Sequence, residues 1–241
     1  MTSLDDLLEH RPPTPERPLL GLTMLLVEDS RFTCEALRLM CLRSGARLRR
    51  AGSLHHARRH LSTYRPGAVL IDLGLPDGDG ASLIQELASA APRVGAVLAT
   101  SGDPDGRERA EAAGADAFMP KPVTSLAMFQ NTVLSALPRD RRPPGPRLLP
   151  QEEIAPDPIA LRDDLSHAAA LLAPGGTGIE LEYAAQFLAS LGKAAGDGVL
   201  RRAGEELSER LVTGRPVGNA LSRLNTMVTQ MLSETRCPMD A

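Results

Sequence analysis

Four short polar motifs in the first half of the chain each follow directly on a run of apolar residues. They are Glu28-Asp29, Asp72, Thr100-Ser101 and Lys121-Pro122. Crowded carboxylates repel one another unless a hard cation neutralises them, and Mg²⁺ favours oxygen ligands of this kind. A carboxylate can also act as a nucleophile and form an aspartyl phosphate. Since a lysine and a hydroxyl stabilise a moving phosphoryl group, these residue types suit Mg²⁺-assisted phosphoryl transfer.

The apolar runs before these motifs predict the strands that position them. We expect strands at 22–27, 48–51, 68–71, 96–99 and 117–119. Amphipathic stretches between them predict helices that begin near Ser30, Ser53, Gly80, Pro104 and Thr124. Strands that alternate with helices indicate a doubly wound α/β fold with a parallel sheet. Because the carboxyl ends of parallel strands form one crevice, the four motifs should meet there.

Three of these helix starts carry residues that favour helix caps. Ser53 and Thr124 are the expected N-caps of the second and fifth helices. Asp103 is the expected N-cap of the fourth helix, because Pro104 then occupies the first helical position, where proline is favoured.

With these motifs in this order, residues 20–137 resemble a receiver domain of the two-component response-regulator family, the CheY-like domains. The resemblance implies a flavodoxin-like fold, a five-stranded parallel sheet with helices on both faces. It also implies that Asp72 is the phosphoacceptor and that Mg²⁺ is the cofactor. Asp29 matches the direct metal ligand and Glu28 a ligand acting through water. Gly74 matches the residue whose backbone carbonyl completes the metal site.

The resemblance assigns the remaining site residues as well. Ser101 matches the switch hydroxyl that hydrogen-bonds the phosphoryl group, with Thr100 as the alternative. Lys121 matches the lysine that pairs with the phosphoryl oxygens, and Phe118 the aromatic residue that swings inward as the hydroxyl moves. The loop after Ser101 is short for the family, so we expect a shortened or displaced fourth helix and leave the receiver's dimer mode open.

Partners and activity follow from the same resemblance. A histidine kinase or histidine phosphotransfer protein is the expected phosphodonor. The receiver itself would catalyse its phosphorylation from phosphohistidine and its slow dephosphorylation, so it is an enzyme only in a loose sense.

Composition divides the rest of the chain. Residues 1–19 form an N-terminal extension, residues 138–156 a proline-rich segment expected to act as a semi-rigid linker, and residues 157–236 a helical domain. Apolar residues in the last region recur at helical spacing in four stripes, which predicts a small helical bundle. Its helix boundaries are marked by Asp157-Pro158, by 174–176, by a capping box of Thr177 with Glu180, and by 214–216.

The charge of this helical region bears on its output. Residues 150–241 hold 8 basic and 13 acidic residues, a net charge of −5 that repels a phosphate backbone. We therefore expect it to bind a downstream protein and not DNA. Two alternatives stay open: a homodimer acting as a transcriptional regulator, and a two-step phosphorelay in which His167, expected to be exposed, is a phosphotransfer site.

Overall composition sets broader limits. The chain has 241 residues, 42% hydrophobic and 24% charged, as in globular proteins, and no apolar run is long enough to span a bilayer. We expect a cytoplasmic protein without a signal peptide or membrane contact. Cys34 and Cys41 are expected in the core, while Cys237 has no partner at metal-ligand spacing. His56 and His60 have the spacing of a zinc pair, but adjacent arginines favour a solvated basic face.

Overall fold

The computed structural model of the protein describes residues 12–155, 157–173 and 177–234. These residues divide into two compact units. The first contains the described residues up to Ala155 apart from 30–33, and the second contains residues 30–33 together with the described residues from 157 onward. The predicted boundary at 174–176, the end of the helical domain at 235–236 and Cys237 lie outside the described residues, as do residues 1–11 of the predicted extension.

The first unit is built on a five-stranded parallel sheet in the order β2-β1-β3-β4-β5. The strands are β1 (Thr23–Val27), β2 (Arg47–Ala51), β3 (Ala68–Asp72), β4 (Val97–Ser101) and β5 (Ala117–Pro120). Every residue of β3 and β4 is buried, and both sequences are apolar without alternation until the polar residues at their carboxyl ends, Asp72, Thr100 and Ser101. This strand order is that of the flavodoxin-like doubly wound fold, and it confirms the predicted fold class.

Five helices cover the two faces of this sheet. They are α1 (Arg31–Ser44), α2 (Leu54–Thr63), α3 (Gly80–Ser89), α4 (Gly106–Ala112) and α5 (Leu126–Ala136). Alternate residues of each strand point to opposite faces, so the core has two layers. Apolar residues of α1 and α5 pack on one face, around Met24, Leu70 and Phe129. Those of α2, α3 and α4 pack on the other, around Leu25 and Ile71.

Local capping explains most of the helix starts in this unit, with two corrections. Ser53 caps α2 as predicted, since its side chain accepts a hydrogen bond from the His56 amide. Helix α4 begins at Gly106 and not near Pro104, and no side chain caps it. The cap of α5 is Ser125 instead of Thr124, because its hydroxyl is the one that accepts from Met128 N. Helix α4 has only 7 residues, so the predicted shortening is confirmed.

The proline-rich segment differs from the semi-rigid spacer that its composition predicts. It contains a 3₁₀ turn (Arg139–Arg141) and then returns to pack against the first unit. The Leu126 amide donates to the Glu152 carbonyl at 3.1 Å, and the Ile154 amide donates to the Thr124 carbonyl at 2.9 Å. The Ile154 side chain is buried in the core beneath α5. Proline removes backbone donors, but the amides of 152–154 remain free to pair, and composition does not reveal this.

The described part of the second unit is helical. Its helices are α6 (Pro158–Leu171), α7 (Gly178–Ala194), α8 (Gly198–Val212) and α9 (Gly218–Glu234). Asp157 caps α6, and the capping box of Thr177 and Glu180 begins α7, both as predicted. Helix α7 packs along α8, and α9 packs against α6 and α8. The predicted apolar stripes form the shared core of these helices, which includes Leu165, Leu188, Leu207 and Leu224.

Two cysteines lie inside the first unit. Cys34 and Cys41 are free and buried in the core of the first unit, as predicted. Burial raises the pKa of the Cys41 thiol to about 12, which keeps the group protonated near neutral pH.

Among the described helices, none combines the length and the apolar character needed to cross a membrane.

Candidate functional site

The strand order of the first unit brings the predicted polar residues together. Glu28 follows β1, Asp72 ends β3, Ser101 ends β4 and Lys121 follows β5. Four adjacent parallel strands thus deliver these side chains to the same edge of the sheet, in the order β1, β3, β4, β5. All four residues are buried, so each charge must be balanced by its neighbours and not by bulk water.

Lys121 is the central charge of this site. Its Nζ lies 2.8 Å from Glu28 Oε2 and 2.9 Å from Asp72 Oδ2. Burial raises the pKa of the Glu28 and Asp72 carboxyl groups, and the Lys121 charge opposes this rise. Burial also opposes the charged form of Lys121, but the charges of Asp72 and Glu28 hold its pKa above the ordinary lysine value. The lysine is therefore a fixed cation.

Asp29 joins the two buried carboxylates in a compact acidic group. One carboxylate oxygen from each of Glu28, Asp29 and Asp72 lies within 4.8 Å of the others, and Asp29 is half-buried. When all are ionised, three negative charges face the one positive charge of Lys121. This oxygen-only donor set with surplus negative charge fits a hard divalent cation such as Mg²⁺. The residues present therefore suit the metal that the sequence predicts.

The two hydroxyl residues of β4 have different surroundings. Thr100 Oγ1 donates a 2.7 Å hydrogen bond to the Met119 carbonyl and is fully buried, so this hydroxyl holds β4 to β5. Ser101 Oγ accepts a hydrogen bond from the Asp103 amide at 3.0 Å. The geometry therefore favours Ser101 over Thr100 as the hydroxyl that can turn toward a group on Asp72.

The loop after β3 is held by contacts that the sequence motifs do not show. The Asp77 carboxylate accepts hydrogen bonds from the Leu54 and His55 amides, at 2.8 and 2.9 Å, and so ties the loop to the start of α2. Gly80 approaches the Asp72 backbone so closely that a Cβ there would lie 2.0 Å from the Asp72 carbonyl oxygen. This loop also presents Gly74, which is exposed and has open space around it.

Phe118 lies in β5, half-buried against the start of α4. The guanidinium carbon of Arg107 is 5.1 Å from its ring centroid, a cation–π contact. A Cβ on Gly106 would lie 2.7 Å from Ser101 Cβ and 3.3 Å from Phe118 Cζ, so this glycine separates the two side chains. Sequence reasoning missed both Gly106 and Arg107. A helix that starts at Gly106 would have drawn attention to both residues. The sequence instead predicted the N-cap at Asp103 and the helix start near Pro104.

His167 belongs to the second unit, on α6. Its side chain is exposed as predicted, and its ring meets the Phe187 ring edge-on, with centroids 5.9 Å apart. The structure gives this histidine no acidic or basic hydrogen-bond partner among the described residues. Its exposure is compatible with either a surface side chain or a phosphotransfer site.

Comparison with known proteins agrees with this geometry. Residues 24–132 match the family model of the response regulator receiver domain. The KDP operon transcriptional regulatory protein KdpE of Escherichia coli (strain K12) is 30% identical over 145 residues, which is 59% of this chain and 59% of the relative. The chain thus spans about three-fifths of the length of this curated relative.

Solved structures include further similar proteins. A response regulator from Chloroflexus aurantiacus J-10-fl is 28% identical, with a TM-score of 0.40, over 42% of this chain and 85% of that one. The receiver domain of a sensor histidine kinase from Pseudomonas aeruginosa PAO1, with a magnesium ion in its active-site cleft, is 27% identical, with a TM-score of 0.43, over 48% of this chain and 96% of that one. On the family match, the strand order and the residues at the strand ends, residues 24–132 of this chain are a response regulator receiver domain.

Proposed function

We propose that this receiver domain accepts a phosphoryl group on Asp72 from the phosphohistidine of a kinase or phosphotransfer protein, with Mg²⁺ as cofactor. The observation that carries the proposal is the buried Lys121, placed within 3 Å of Glu28 and Asp72 beside the half-buried Asp29. Burying a lysine charge with carboxylates at the ends of the strands costs desolvation free energy, so a purely stabilising role does not account for the arrangement. It is well suited to stabilising the negative charge of a phosphoryl group.

Each residue has one task in this chemistry. An oxygen of Asp72 attacks phosphorus, the N–P bond of the donor breaks, and its electron pair returns to the histidine nitrogen. Lys121 Nζ moves its contacts from the carboxylates to the phosphoryl oxygens. The negative charge of those oxygens then balances the lysine. Asp29, Asp72 and the Gly74 carbonyl would hold the metal, and Glu28 would bind it through water. When bound there, the metal would supply positive charge that offsets the negative charge of the carboxylates and the incoming phosphoryl group.

The same site would switch the domain. Ser101 Oγ would exchange its hydrogen bond from the Asp103 amide for one to the phosphoryl group. Phe118 would then move into the room that the Ser101 side chain leaves, giving up its contact with Arg107. The surface formed by α4 and β5 would change shape as a result, and a coupling of about 1–3 kcal/mol is typical of such two-state switches.

The phosphoacceptor is tested by labelling Asp72→Asn with acetyl phosphate or with a phosphorylated kinase. The variant should lose labelling while keeping its fold, because the change removes only the nucleophilic oxygen. Asp105→Asn is a matched control, since Asp105 is an exposed carboxylate near the same edge whose side chain does not cap α4. Labelling of Asp72→Asn at the wild-type level would show that another carboxylate accepts the phosphoryl group.

We further propose that the helical unit is the output module and that it binds a protein. The net charge of −5 over residues 150–241 supports a protein partner over DNA. The second candidate is a dimeric transcriptional regulator, and the name of the KdpE relative supports its transcriptional part. Sedimentation and DNA-shift assays with and without beryllofluoride and Mg²⁺ separate the two. Sequence-specific DNA binding by the activated form would overturn the protein-output proposal. A cytoplasmic location stays a prediction.

The exposed position of His167 keeps a two-step relay as a third candidate. The phosphoryl linkages differ in chemistry and can be told apart directly. Phosphate on Asp72 alone should be stable to acid and labile to alkali. Label that resists alkali, and that is lost in His167→Gln, would establish the relay.

A further inference from the structure

A basic groove runs along the open edge of the sheet in the first unit. It lies between the edge strand β2 and helix α2 and has a volume of about 1220 Å³. Cationic and aromatic side chains dominate its lining. They are Arg47, Arg49, Arg50, Arg59, Arg65, His56, His60 and Tyr64. The lining contains no aspartate or glutamate, so the groove carries five positive charges when both histidines are neutral.

The arginines of this groove are only partly balanced by acidic neighbours. Arg49, Arg59 and Arg65 are exposed and form no ion pair with any residue that the structure describes. By contrast, Arg58 on the outer side of α2 pairs with Glu86 at 2.6 Å. Like charges around one concave surface repel one another and focus a positive potential into it. A bound polyanion would relieve that repulsion.

A tyrosine hydroxyl adds a second, independent feature. Tyr64 Oη is buried and has no hydrogen-bond partner among the described residues. Burial raises the pKa of this phenol, and the Arg49 charge opposes the rise. The ring of Tyr64 meets that of His60 edge-on, with centroids 5.7 Å apart. An unpaired donor next to arginines is suited to an oxygen-rich anion, and two aromatic rings are suited to a planar base.

We propose that this groove binds a small polyphosphate ligand of the nucleotide class. Guanidinium groups of Arg49 and Arg59 would bind phosphate oxygens through paired N–H donors, as arginine does better than lysine. Tyr64 Oη would donate to the same ligand. Typical ligand pockets measure roughly 300–1,000 Å³, so a groove of about 1220 Å³ has room for a nucleoside triphosphate. Arg50 also lines the groove and donates a 3.4 Å hydrogen bond to the Asp29 carbonyl, so the groove adjoins the carboxylate site there. The arginines proposed to bind phosphate are Arg49 and Arg59, and their part in binding does not require phosphorylation of Asp72.

A metal alternative is less well supported at this place. His56 and His60 have no third His, Cys, Asp or Glu positioned with them to hold a metal ion among the described residues. Surrounding arginines would oppose a cation further.

Binding is measured on the full chain with a fluorescent nucleoside triphosphate, by anisotropy at physiological salt and in excess EDTA. Chelation keeps phosphates away from the carboxylate site, where no metal can then bind them. We expect saturable binding that inorganic tripolyphosphate displaces. Arg49→Gln and Arg59→Gln should each weaken binding by about tenfold, since each removes charge-assisted hydrogen bonds. Arg139→Gln is the control, because Arg139 is an exposed arginine of the same unit outside the groove.

Three results would overturn the proposal. One is the absence of saturable binding at physiological salt, and another is unchanged affinity in both groove variants. The third is a single-stranded oligonucleotide that binds more tightly than the triphosphate and is weakened by the same substitutions, which would assign the groove to a nucleic-acid backbone. Asp72→Asn should bind like the wild type, so this experiment and the labelling of Asp72 can fail independently.

Discussion

Lys121 and the carboxylates around it form a site whose members depend on one another. Glu28 and Asp72 are buried with a lysine between them, and Asp29 adds a third acidic group within 4.8 Å. Removing one member of a buried ion pair leaves an uncompensated charge, which costs about 3–5 kcal/mol. Removing an acidic residue that adds to the surplus negative charge should instead leave the stability unchanged or raise it. Asp29 is not one of the two carboxylates that pair with Lys121. Replacing it therefore tests metal binding without breaking either of those buried ion pairs.

Asp29→Ala should respond to Mg²⁺ in a way that a simple packing defect would not. Without metal, the variant should be as stable as the wild type or more stable, because it relieves repulsion from Asp72 and Glu28. With Mg²⁺, the melting temperature of the wild type should rise, since ligand that binds the folded state stabilises it, while that of the variant should not. Thermal melts over a Mg²⁺ titration measure both effects. An equal rise in the variant would remove Asp29 from the metal site.

At the level of elements, α4 differs from the other helices of the receiver. It has 7 residues and no side-chain cap, and a Cβ on its first residue, Gly106, would collide with Ser101 and press on Phe118. A short helix without a cap gains little from its own hydrogen bonds, so its position depends on packing. Such an element can move when the side chains beneath it rearrange, which fits the proposed switch.

Gly106→Ala should therefore impair the first unit. The new methyl group would meet Ser101 Cβ at 2.7 Å, and overpacking of this kind costs about 1–3 kcal/mol. Gly52→Ala is the matched control, because a Cβ on Gly52 meets nothing within 4 Å. Urea denaturation compares the two variants, and a phosphorylation assay shows whether Ser101 still functions. Equal stability of both variants would contradict the close packing at α4.

The contact between α7 and α8 makes a second element-level prediction. A Cβ on Gly204 would lie 2.7 Å from both the Ala185 carbonyl oxygen and the Ala189 amide, so the two helix backbones meet there. Alanine is the better helix former by about 1 kcal/mol, but backbone atoms cannot yield as flexible side chains do. Gly204→Ala should be destabilising by about 1–3 kcal/mol.

Gly218→Ala provides the control for that substitution. Gly218 begins α9 with nothing within 4 Å of its Cβ position, so alanine there should be neutral or slightly stabilising. Chemical denaturation followed by circular dichroism at the helical band measures both variants. If Gly204→Ala proved as stable as Gly218→Ala, the close approach of α7 and α8 would be refuted.

At the level of the whole molecule, the proline-rich segment up to Ala155 belongs to the first unit. Residues 138–155 group with the first unit, and Ile154 is buried in its core. Arg147 also donates to Gln130 and Asn131 on α5. A truncation within the prolines therefore removes part of the packing around α5.

Two fragments test this packing. Residues 1–155 should fold alone, and residues 1–143 should be less stable by about 2 kcal/mol, the value of burying one large aliphatic side chain. Thermal and urea melts of the two fragments give the comparison. Ile154→Ala in the longer fragment should reproduce most of the loss. Fragments of equal stability would restore the segment as an independent linker.

Local sequence patterns were sufficient for much of this protein. The five strands begin and end within two residues of the predicted positions, and Ser53, Asp157 and the Thr177–Glu180 box cap helices as expected. These features depend on periodicity and on hydrogen bonds between residues three or four apart, which a sequence displays directly. The motifs at the strand ends predicted the acidic group and Lys121 for the same reason, because parallel strands place their ends together.

Contacts between distant segments could not be read in this way. Which of Thr100 and Ser101 is free to turn depends on the Met119 carbonyl of the next strand. The start of α4 depends on the room left by Ser101 and Phe118, and the docking of Ile154 depends on an open place beside α5. The basic groove arises only when β2 becomes an edge strand next to α2. Each is decided by close packing between residues remote in the chain, and composition and spacing carry no record of that packing.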